Sequence, residues 1–495
     1  MPRQRIIHHG CGRVRRREFL ADLGLGFTGL ALGSMLAQDA AAATLPGWRA
    51  PDGMPHFAPR AKTVIWLFMI GGVSQMESFD PKPALTTYGG MSIDETPHKD
   101  VLEQSFIDDN LRVVDTRKKT WMQIYPLQNG HRKYGESGIE VADGWPHLCG
   151  VVDDLCLIRS MWSTDDNHGA QLQFHTGRHL LDGVFPSLGS WVHYGLGTLN
   201  RNLPQFVVLG DSLSERFGGE GGHTADYLGP QHAGVPVKVD PKDPLPYGVP
   251  AQGVYREEQQ GEFGLLNDLN RLAQVEYPDD AEMRARIESY ELAFRMQRAM
   301  PEVFRFQDET ADTHQLYGLD DPLTKDYGEK LLAARRLTER GVRFIQVYDG
   351  TAPGGGKWDT HSGSKKALAE NSRSVDKPIA GLIADLKRRG LLDETLVCFM
   401  TEFGRTPGGQ GAKATGREHS PYGFTVWMAG GGVKPGYVHG KTDELGFHAV
   451  EDRHYVTDLH ATVLHQLGLD SRKLEVPGRK RLEIDHGQVI QDILA

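Results

Sequence analysis

The chain has 495 residues, of which 39% are hydrophobic and 24% are charged. This composition supports a buried core and excludes a wholly disordered protein. The formal net charge of −10 excludes a general nucleic-acid binder, because such proteins carry a basic face, and we expect no nucleic-acid partner.

The first segment, residues 1–43, has the pattern of an export signal. The motif Arg-Arg-Glu-Phe-Leu at 16–20 is followed by a weakly apolar stretch and by four alanines at 40–43 that offer a cleavage site. This order is typical of a twin-arginine signal peptide, with a retained membrane anchor as the alternative. We expect the twin-arginine export machinery as a partner, a periplasmic or secreted location, and no transmembrane span in the mature chain.

Residues 44–61 are a Pro-rich linker, and residues 62–495 are predicted to form one α/β domain. Apolar runs of strand length occur at 63–70, 155–159, 206–209, 344–348, 396–400 and 425–428, and helical patterns occur at 328–340 and 375–389. Strands that alternate with helices predict a central, mostly parallel sheet with helices on both faces. Two stretches break this rhythm and are predicted insertions: the irregular residues 85–145 and the partly helical residues 210–325.

Four polar side chains lie in loops beside three of these strands. Asp359 and His361 follow the fourth strand, Glu402 follows the fifth, and His419 precedes the sixth. Ligands of such sheets bind beyond the carboxyl ends of the strands. Carboxylates and imidazoles together suit a divalent cation, so these four residues are the predicted metal ligands. The alternative is structural, with Asp359 capping a helix and Glu402 pairing with Arg405.

A second polar unit follows the second strand, where a helix is predicted to begin. Thr164, Asn167 and His168 lie there, and such groups at a helix N-terminus can bind an anion or present a nucleophile. Plain capping of the helix by Asp165, Asp166 or Asn167 is the alternative.

These motifs resemble the metal-binding core of the alkaline phosphatase and sulfatase superfamily. More closely, the chain resembles an uncharacterised exported family within it, domain-of-unknown-function family 1501. The resemblance is carried by the leader and by Phe-Asp-Pro-Lys-Pro at 79–83, Trp-Asp-Thr-His-Ser at 358–362 and Glu-Phe-Gly-Arg-Thr-Pro at 402–407. It implies an alkaline phosphatase-like fold, with the four predicted ligands at the metal site.

The chain also departs from the superfamily pattern. Gly71 and Gly72 stand where the superfamily usually has Asp, and Phe403 replaces a metal-binding His. The sulfatase signature Cys-x-Pro-x-Arg is missing from the sequence. These departures predict one divalent metal rather than two, with zinc or calcium as the candidates.

The remaining candidate residues would act on an ester. His168 is a candidate general acid or base, and Asn167 and Thr164 lie at or near the position of the superfamily nucleophile. The candidates to clamp an anion are Arg405, Arg178 and Lys357.

We therefore expect an exported metal-dependent hydrolase of sulfate or phosphate esters, in which the metal polarises the ester oxygen. Its substrate would be a small-molecule or polysaccharide anionic ester. The alternative is a non-catalytic exported binding or scaffold protein that retains the fold.

Overall fold

The computed structural model describes residues 51–102, 123–245, 255–276, 281–350, 355–409 and 415–495. The predicted leader, residues 1–43, lies outside these described residues. From residue 51 the predicted linker is attached to the body of the protein, because the backbone N–H groups of His56 and Arg60 donate to the carbonyls of Gly468 and Gln466 at 2.8 Å. Within the described ranges, no helix has both the length and the apolar content to cross a membrane.

The described residues contain a nine-stranded central sheet and three two-stranded pairs. In chain order the strands are β1 (Thr63–Met69), β2 (His131–Tyr134), β3 (Ile139–Ala142), β4 (Leu155–Trp162), β5 (Phe206–Leu209), β6 (Val235–Val237), β7 (Phe344–Asp349), β8 (Thr395–Met400), β9 (Gly404–Arg405), β10 (His419–Ser420), β11 (Phe424–Ala429), β12 (Tyr437–His439), β13 (Lys441–Thr442), β14 (Ala449–Glu451) and β15 (His454–Tyr455). The central sheet runs β6-β5-β7-β1-β8-β11-β4-β12, with β15 also paired to β4.

The sheet is mostly parallel, as the sequence predicts. β1 pairs in parallel with β7 and β8, and β5 pairs in parallel with β6 and β7. β11 is the exception, because it runs antiparallel to both of its neighbours, β8 and β4. The beginning of β11 therefore lies at the same edge of the sheet as the carboxyl ends of the parallel strands.

Helices cover both faces of the sheet, which confirms the predicted α/β class. In chain order the α-helices of the described residues are α1 (Pro83–Thr87), α2 (Ala170–Thr176), α3 (Leu188–Leu196), α4 (Arg256–Glu276), α5 (Ala281–Val303), α6 (Ala311–Leu316), α7 (Lys325–Glu339), α8 (Ser364–Arg388), α9 (Val456–Gln466) and α10 (Glu483–His486).

The apolar run of β1 is continuous because both of its faces are buried. Leu67 and Met69 enter a core shared with α5, α7 and α8, while Trp66 and Phe68 enter a second core shared with α2, α3 and α9. Burial of apolar surface on both faces is the main force that holds the layers together.

The second predicted insertion, residues 210–325, contributes to the body of the fold. Its strand β6 forms an edge of the central sheet, and Met296 and Met300 of α5 are buried in one of the two cores. The first predicted insertion, residues 85–145, contains the end of the short helix α1 and the hairpin β2–β3 among its described residues.

The predicted helix at 375–389 begins earlier in the structure, since α8 spans Ser364–Arg388. Its first turns bury polar side chains, among them Asn371, Ser372 and Ser374, in place of an apolar stripe. Apolar periodicity therefore detects only the second half of this helix.

Candidate metal centre

Four polar side chains meet at the carboxyl edge of the parallel strands. Asp359 and His361 follow β7, and His168 follows β4, two residues before α2 begins. His419 starts β10, shortly before β11. Because β11 is antiparallel, the segment before it reaches the same edge as the segments that follow β7 and β4.

The carboxylate of Asp359 is the centre of this cluster. Its Oδ1 lies 2.9 Å from Nε2 of His361 and 3.0 Å from Nε2 of His419, and its Oδ2 lies 3.2 Å from Nε2 of His168. Donor atoms of His168, Asp359 and His419 all lie within 4.8 Å of one another. Of the four predicted ligands, the structure thus brings together Asp359, His361 and His419. His168, which was not predicted as a ligand, joins them.

The far ring nitrogen of each histidine is held by an oxygen. Nδ1 of His168 lies 3.0 Å from Glu402 Oε1, and Nδ1 of His361 lies 3.0 Å from Glu418 Oε1. Nδ1 of His419 lies 2.7 Å from the carbonyl oxygen of Asp166. An Nδ1–H that donates to oxygen leaves the lone pair of a neutral ring on Nε2, which is the nitrogen that faces Asp359. Metal-binding histidines in proteins are oriented in this way.

One ring nitrogen of the cluster has the surroundings expected of a metal ligand. Nε2 of His168 is buried and makes no hydrogen bond with any described residue, although Oδ2 of Asp359 is 3.2 Å away. A buried ring nitrogen that makes no hydrogen bond costs free energy, which a ligand at that atom removes. Imidazole nitrogens and a carboxylate at these separations form a donor set suited to a divalent metal.

The same contacts shift the pKa values of the cluster. Burial alone would raise the pKa of Asp359, but the surrounding imidazoles of His168, His361 and His419 hold that pKa well below its usual range. Hydrogen bonds to Asp359 and Glu418 raise the pKa of His361 to about 9, whereas burial lowers the pKa of His419 to about 4. Asp359 is therefore a carboxylate that positive charge stabilises, and His419 is neutral at pH 7.

Glu402 lies behind His168 and outside the group of converging donors. Its side chain is fully buried, and Oε1 accepts hydrogen bonds from Nδ1 of His168 and Nε2 of Gln171, both at 3.0 Å. The backbone N–H of Gly71 also donates to this carboxylate at 2.9 Å. This position differs from the ligand position predicted from the sequence, because here Glu402 orients the ring of His168.

Arg405 is also enclosed by protein. It has no exposed surface, and its guanidinium donates to the backbone carbonyls of Gly71, Gly72 and Trp358 and to Oδ1 of Asp359 at 3.0 Å. With its donors committed in this way, Arg405 does not reach a ligand in solvent as the predicted anion clamp requires. It fixes the position and charge of Asp359.

The other two predicted anion clamps, Lys357 and Arg178, are paired with carboxylates other than Asp359. Lys357 Nζ lies 2.8 Å from Asp349 Oδ1 and donates to Ser374 Oγ at 2.6 Å. Arg178 follows α2 and pairs with Asp485 at 2.6 Å.

The two predicted nucleophile positions make hydrogen bonds with residues other than Asp359. Thr164 is buried and accepts a hydrogen bond from Gln173 Nε2 at 2.6 Å. Asn167 is exposed, and its Oδ1 accepts from the backbone N–H of His168 at 2.8 Å. Among the described residues, neither side chain makes a hydrogen bond with Asp359.

A close backbone approach at Gly355 shapes the space beside the cluster. A Cβ at this position would fall 2.2 Å from Nε2 of His168 and 2.4 Å from Oδ2 of Asp359. Any side chain at Gly355 would thus occupy the space between two donor atoms, so the residue must be glycine.

Two further residues that support the histidines of the site, Gln171 and Glu418, were not predicted from the sequence. Gln171 donates to Glu402 and, at 3.2 Å, to the carbonyl oxygen of Gly355. It follows His168 by three residues, which is the spacing that places side chains on one face of a helix. Glu418 directly precedes His419 in the sequence. A carboxylate next to a predicted ligand could have indicated that Glu418 supports the site.

Gly71 and Phe403, two of the predicted departures from the superfamily pattern, both lie next to residues of the cluster. Gly71 has φ +122°, and a Cβ there would lie 2.4 Å from the backbone nitrogen of Asp359, so an Asp does not fit this backbone. The ring of Phe403 packs 4.3 Å from that of His419, centroid to centroid. The backbone thus leaves no room for a side chain at Gly71, and position 403 places an aromatic ring against His419.

Residues 61–494 match the family model described as protein of unknown function (DUF1501), and the chain belongs to that family. A search of curated proteins finds no match.

Several solved structures are similar. A phosphonate monoester hydrolase from Silicibacter pomeroyi is 13% identical, with a TM-score of 0.34 and 71% of each chain covered. A sulfatase from Pseudoalteromonas sp. is 13% identical, with a TM-score of 0.33, covering 96% of this chain and 76% of that one. The alkaline phosphatase from the Antarctic bacterium TAB5 is 11% identical, with a TM-score of 0.33, covering 83% of this chain and 99% of that one.

Proposed function

We propose that this protein is an exported hydrolase of sulfate or phosphate esters that works with one divalent metal of the zinc type. One observation carries the proposal. His168 and His419 turn Nε2 toward the carboxylate of Asp359, while Nδ1 of each ring is held by an oxygen. This is the way in which proteins prepare imidazoles to bind a metal.

The donor set favours zinc over calcium. His168, Asp359 and His419 would hold the metal through two nitrogens and one oxygen. Calcium takes oxygen ligands, whereas catalytic zinc takes three protein ligands of this kind and keeps one position open. When bound, such a metal supplies a Lewis acid that polarises an ester oxygen.

The residues around the metal would have separate tasks. Arg405 neutralises and fixes Asp359 from the buried side, and Glu402 fixes His168. His361 lies at the open side, with its side chain 38% exposed and with Asp359 and Glu418 at its two ring nitrogens. Held between two carboxylates, His361 would stay protonated, and its positive charge at this exposed position would attract the anionic ester.

The proposed location rests on residues 1–43. The motif Arg-Arg-Glu-Phe-Leu, the weakly apolar stretch and the alanines at 40–43 support twin-arginine export to the periplasm or beyond. The substrate would accordingly be a small-molecule or polysaccharide anionic ester outside the cytoplasm.

The test combines metal content with turnover. The full chain is purified, its metal is measured by mass spectrometry, and hydrolysis is followed on a panel of aryl sulfates, aryl phosphates and sulfated sugars. His419→Ala should lose both metal and hydrolysis. The control His131→Ala removes another imidazole–carboxylate pair, with Glu140 at 2.7 Å, and should keep both. Hydrolysis that persists without metal, or in His419→Ala, would contradict the proposal.

A non-catalytic binding protein is the second candidate, and one observation favours it. Thr164, the predicted hydroxyl, accepts a hydrogen bond from Gln173 and makes none with Asp359 among the described residues. Stoichiometric metal in the wild-type protein without turnover on any ester of the panel would favour this candidate over the hydrolase.

A further inference from the structure

An exposed arginine, Arg216, lies in a loop that starts beside the candidate metal centre. It belongs to a short 3-10 helix, Glu215–Phe217, in the segment that follows β5. β5 runs parallel to β7, and the first residue after β5 is Gly210, where a Cβ would fall 2.9 Å from the carbonyl oxygen of Tyr348 in β7. The loop of Arg216 therefore starts at the same edge of the sheet as Asp359.

Aromatic contacts connect Arg216 to His168. The guanidinium carbon of Arg216 lies 5.3 Å from the ring centroid of Phe217, and that ring lies 5.2 Å from the ring of His168, centroid to centroid. Phe217 is buried, and its loop packs on α2, because a Cβ at Gly218 would fall 3.1 Å from Cβ of Leu172. The guanidinium of Arg216 thus lies one aromatic ring away from a candidate metal ligand.

The donors of Arg216 are not committed to other groups of the protein. Arg216 forms no ion pair or hydrogen bond with any described residue, including the acids Glu215 and Glu220 of the same loop. A guanidinium that lies on a ring keeps its edge available for an oxyanion. In this it differs from the three cations predicted to clamp an anion, which all pair with carboxylates: Arg405, Arg178 and Lys357.

We propose that Arg216 binds the anionic group of the ester that enters the candidate metal centre. Asp359 and Glu418 place negative charge beside the open side of the centre, and the chain has a net charge of −10, so an anionic ester needs local positive charge to approach. His361 would supply one such charge, and Arg216 would supply a second.

The chemistry of the guanidinium suits this task. Its planar fork of N–H donors matches two oxygens of a sulfate or phosphate group and forms paired, charge-assisted hydrogen bonds with them. Because an exposed cation–π contact is weak, the guanidinium of Arg216 can leave the ring of Phe217 to make these bonds.

The inference rests on the proposed function, since it assigns Arg216 to the substrate of the same site. No hydrogen bond joins Arg216 to Asp359, His168 or His419 within the described part of the chain. Removal of its guanidinium should therefore leave the metal content unchanged and weaken the binding of the ester. Loss of an interaction made equally with the bound ester and with the transition state raises KM and leaves kcat unchanged.

The test compares Arg216→Ala with the wild-type protein in two measurements. The first is calorimetric titration of the zinc-loaded full chain with sodium sulfate, which needs no turnover. The dissociation constant should rise by about tenfold or more, because a pair of charge-assisted hydrogen bonds is lost. The second is steady-state hydrolysis of aryl sulfates and aryl phosphates, in which KM should rise by a similar factor at unchanged kcat. Arg216→Lys should give intermediate values, since it keeps the charge but not the planar fork.

The matched control is Arg201→Ala. Arg201 is also exposed, and its side chain forms no ion pair or hydrogen bond with any described residue. It precedes β5, so it lies at the opposite edge of the sheet from the candidate metal centre. The sulfate affinity and KM of this variant should equal those of the wild-type protein. Since both arginines are exposed, neither substitution should change the thermal unfolding midpoint.

The two measurements separate this inference from the proposed function. Weaker sulfate binding in Arg216→Ala, with no turnover by the wild-type protein, would support the inference and contradict the hydrolase. Turnover with the same KM in Arg216→Ala would overturn the inference and leave the hydrolase standing. Equal losses in Arg216→Ala and Arg201→Ala would overturn it as well, since binding would then follow total charge. The same holds if sulfate does not bind to the wild-type protein.

Discussion

Nε2 of His419 lies 3.0 Å from Oδ1 of Asp359, although the two residues are 60 positions apart in the chain. The contact exists because β11 runs antiparallel to its neighbours and returns the segment before it to the edge where β7 ends. On the other side of the ring, the carbonyl of Asp166 fixes Nδ1 at 2.7 Å. His419 is thus oriented toward Asp359 before any ligand arrives.

Glu402→Gln should weaken metal binding while the protein stays folded. The amide keeps an oxygen for the backbone N–H of Gly71, but the charge that orients His168 is lost. Loss of such a supporting carboxylate typically costs about 10–100-fold in metal affinity. The measurement is zinc affinity in competition with a chelator. Glu394→Gln, at an exposed position, is the control, and equal affinities for the two variants would contradict the role given to Glu402.

Asp359→Asn should destabilise the fold, apart from any effect on metal. It leaves the buried guanidinium of Arg405 without its carboxylate partner, and breaking such a pair costs about 3–5 kcal/mol. Urea denaturation measures the free energy of unfolding. Removing Glu394, which pairs with Lys62 at 2.7 Å on the surface, should change it by less than about 1 kcal/mol. Similar losses for the two variants would show that Arg405 does not depend on Asp359.

Gly355→Ala should abolish zinc binding, because the new methyl group would occupy the space between His168 Nε2 and Asp359 Oδ2. Gly150→Ala is the matched control, since a Cβ at Gly150 meets no atom within 4 Å. Calorimetric titration with zinc gives the stoichiometry of each variant. Wild-type stoichiometry for Gly355→Ala would show that the metal lies elsewhere.

Stability should fall as the pH decreases from about 6.5 to about 4. Burial lowers the pKa of His193, His223 and His460 to about 4 and that of His232 to about 3. These rings stay neutral in the folded protein but take up protons near pH 6.5 once unfolded. The unfolded state therefore binds more protons in this window, at about 1.4 kcal/mol per proton and pH unit.

The check on this pH dependence is the free energy of unfolding in urea at several pH values from 4 to 7. A decrease toward pH 4 is expected. A curve that is flat, or that rises toward pH 4, would mean that these histidines are accessible to protons in the folded state.

The sequence was enough to predict the main sheet and the convergence of Asp359, His361 and His419, because apolar runs mark the strands and polar residues mark their ends. It could not predict that Glu402 stands behind His168. That position depends on the backbone N–H of Gly71, which comes close only in the folded chain.

Other parts of the site were beyond sequence reasoning for similar reasons. Arg405 looks like a free cation in the sequence, and only the folded backbone surrounds it with carbonyls. The direction of β11 has no signature in its apolar run, since buried strands of either direction read alike. Strand β6 is three residues long, too short for periodicity to mark it.

Titration of zinc into the full chain, stripped of metal by a chelator, tests the central claim most directly. One equivalent should bind to the wild-type protein and none to the double variant His168→Ala/His419→Ala, while calcium should bind to neither. Absence of zinc binding to the wild-type protein, or binding that survives in the double variant, would contradict a metal centre at Asp359.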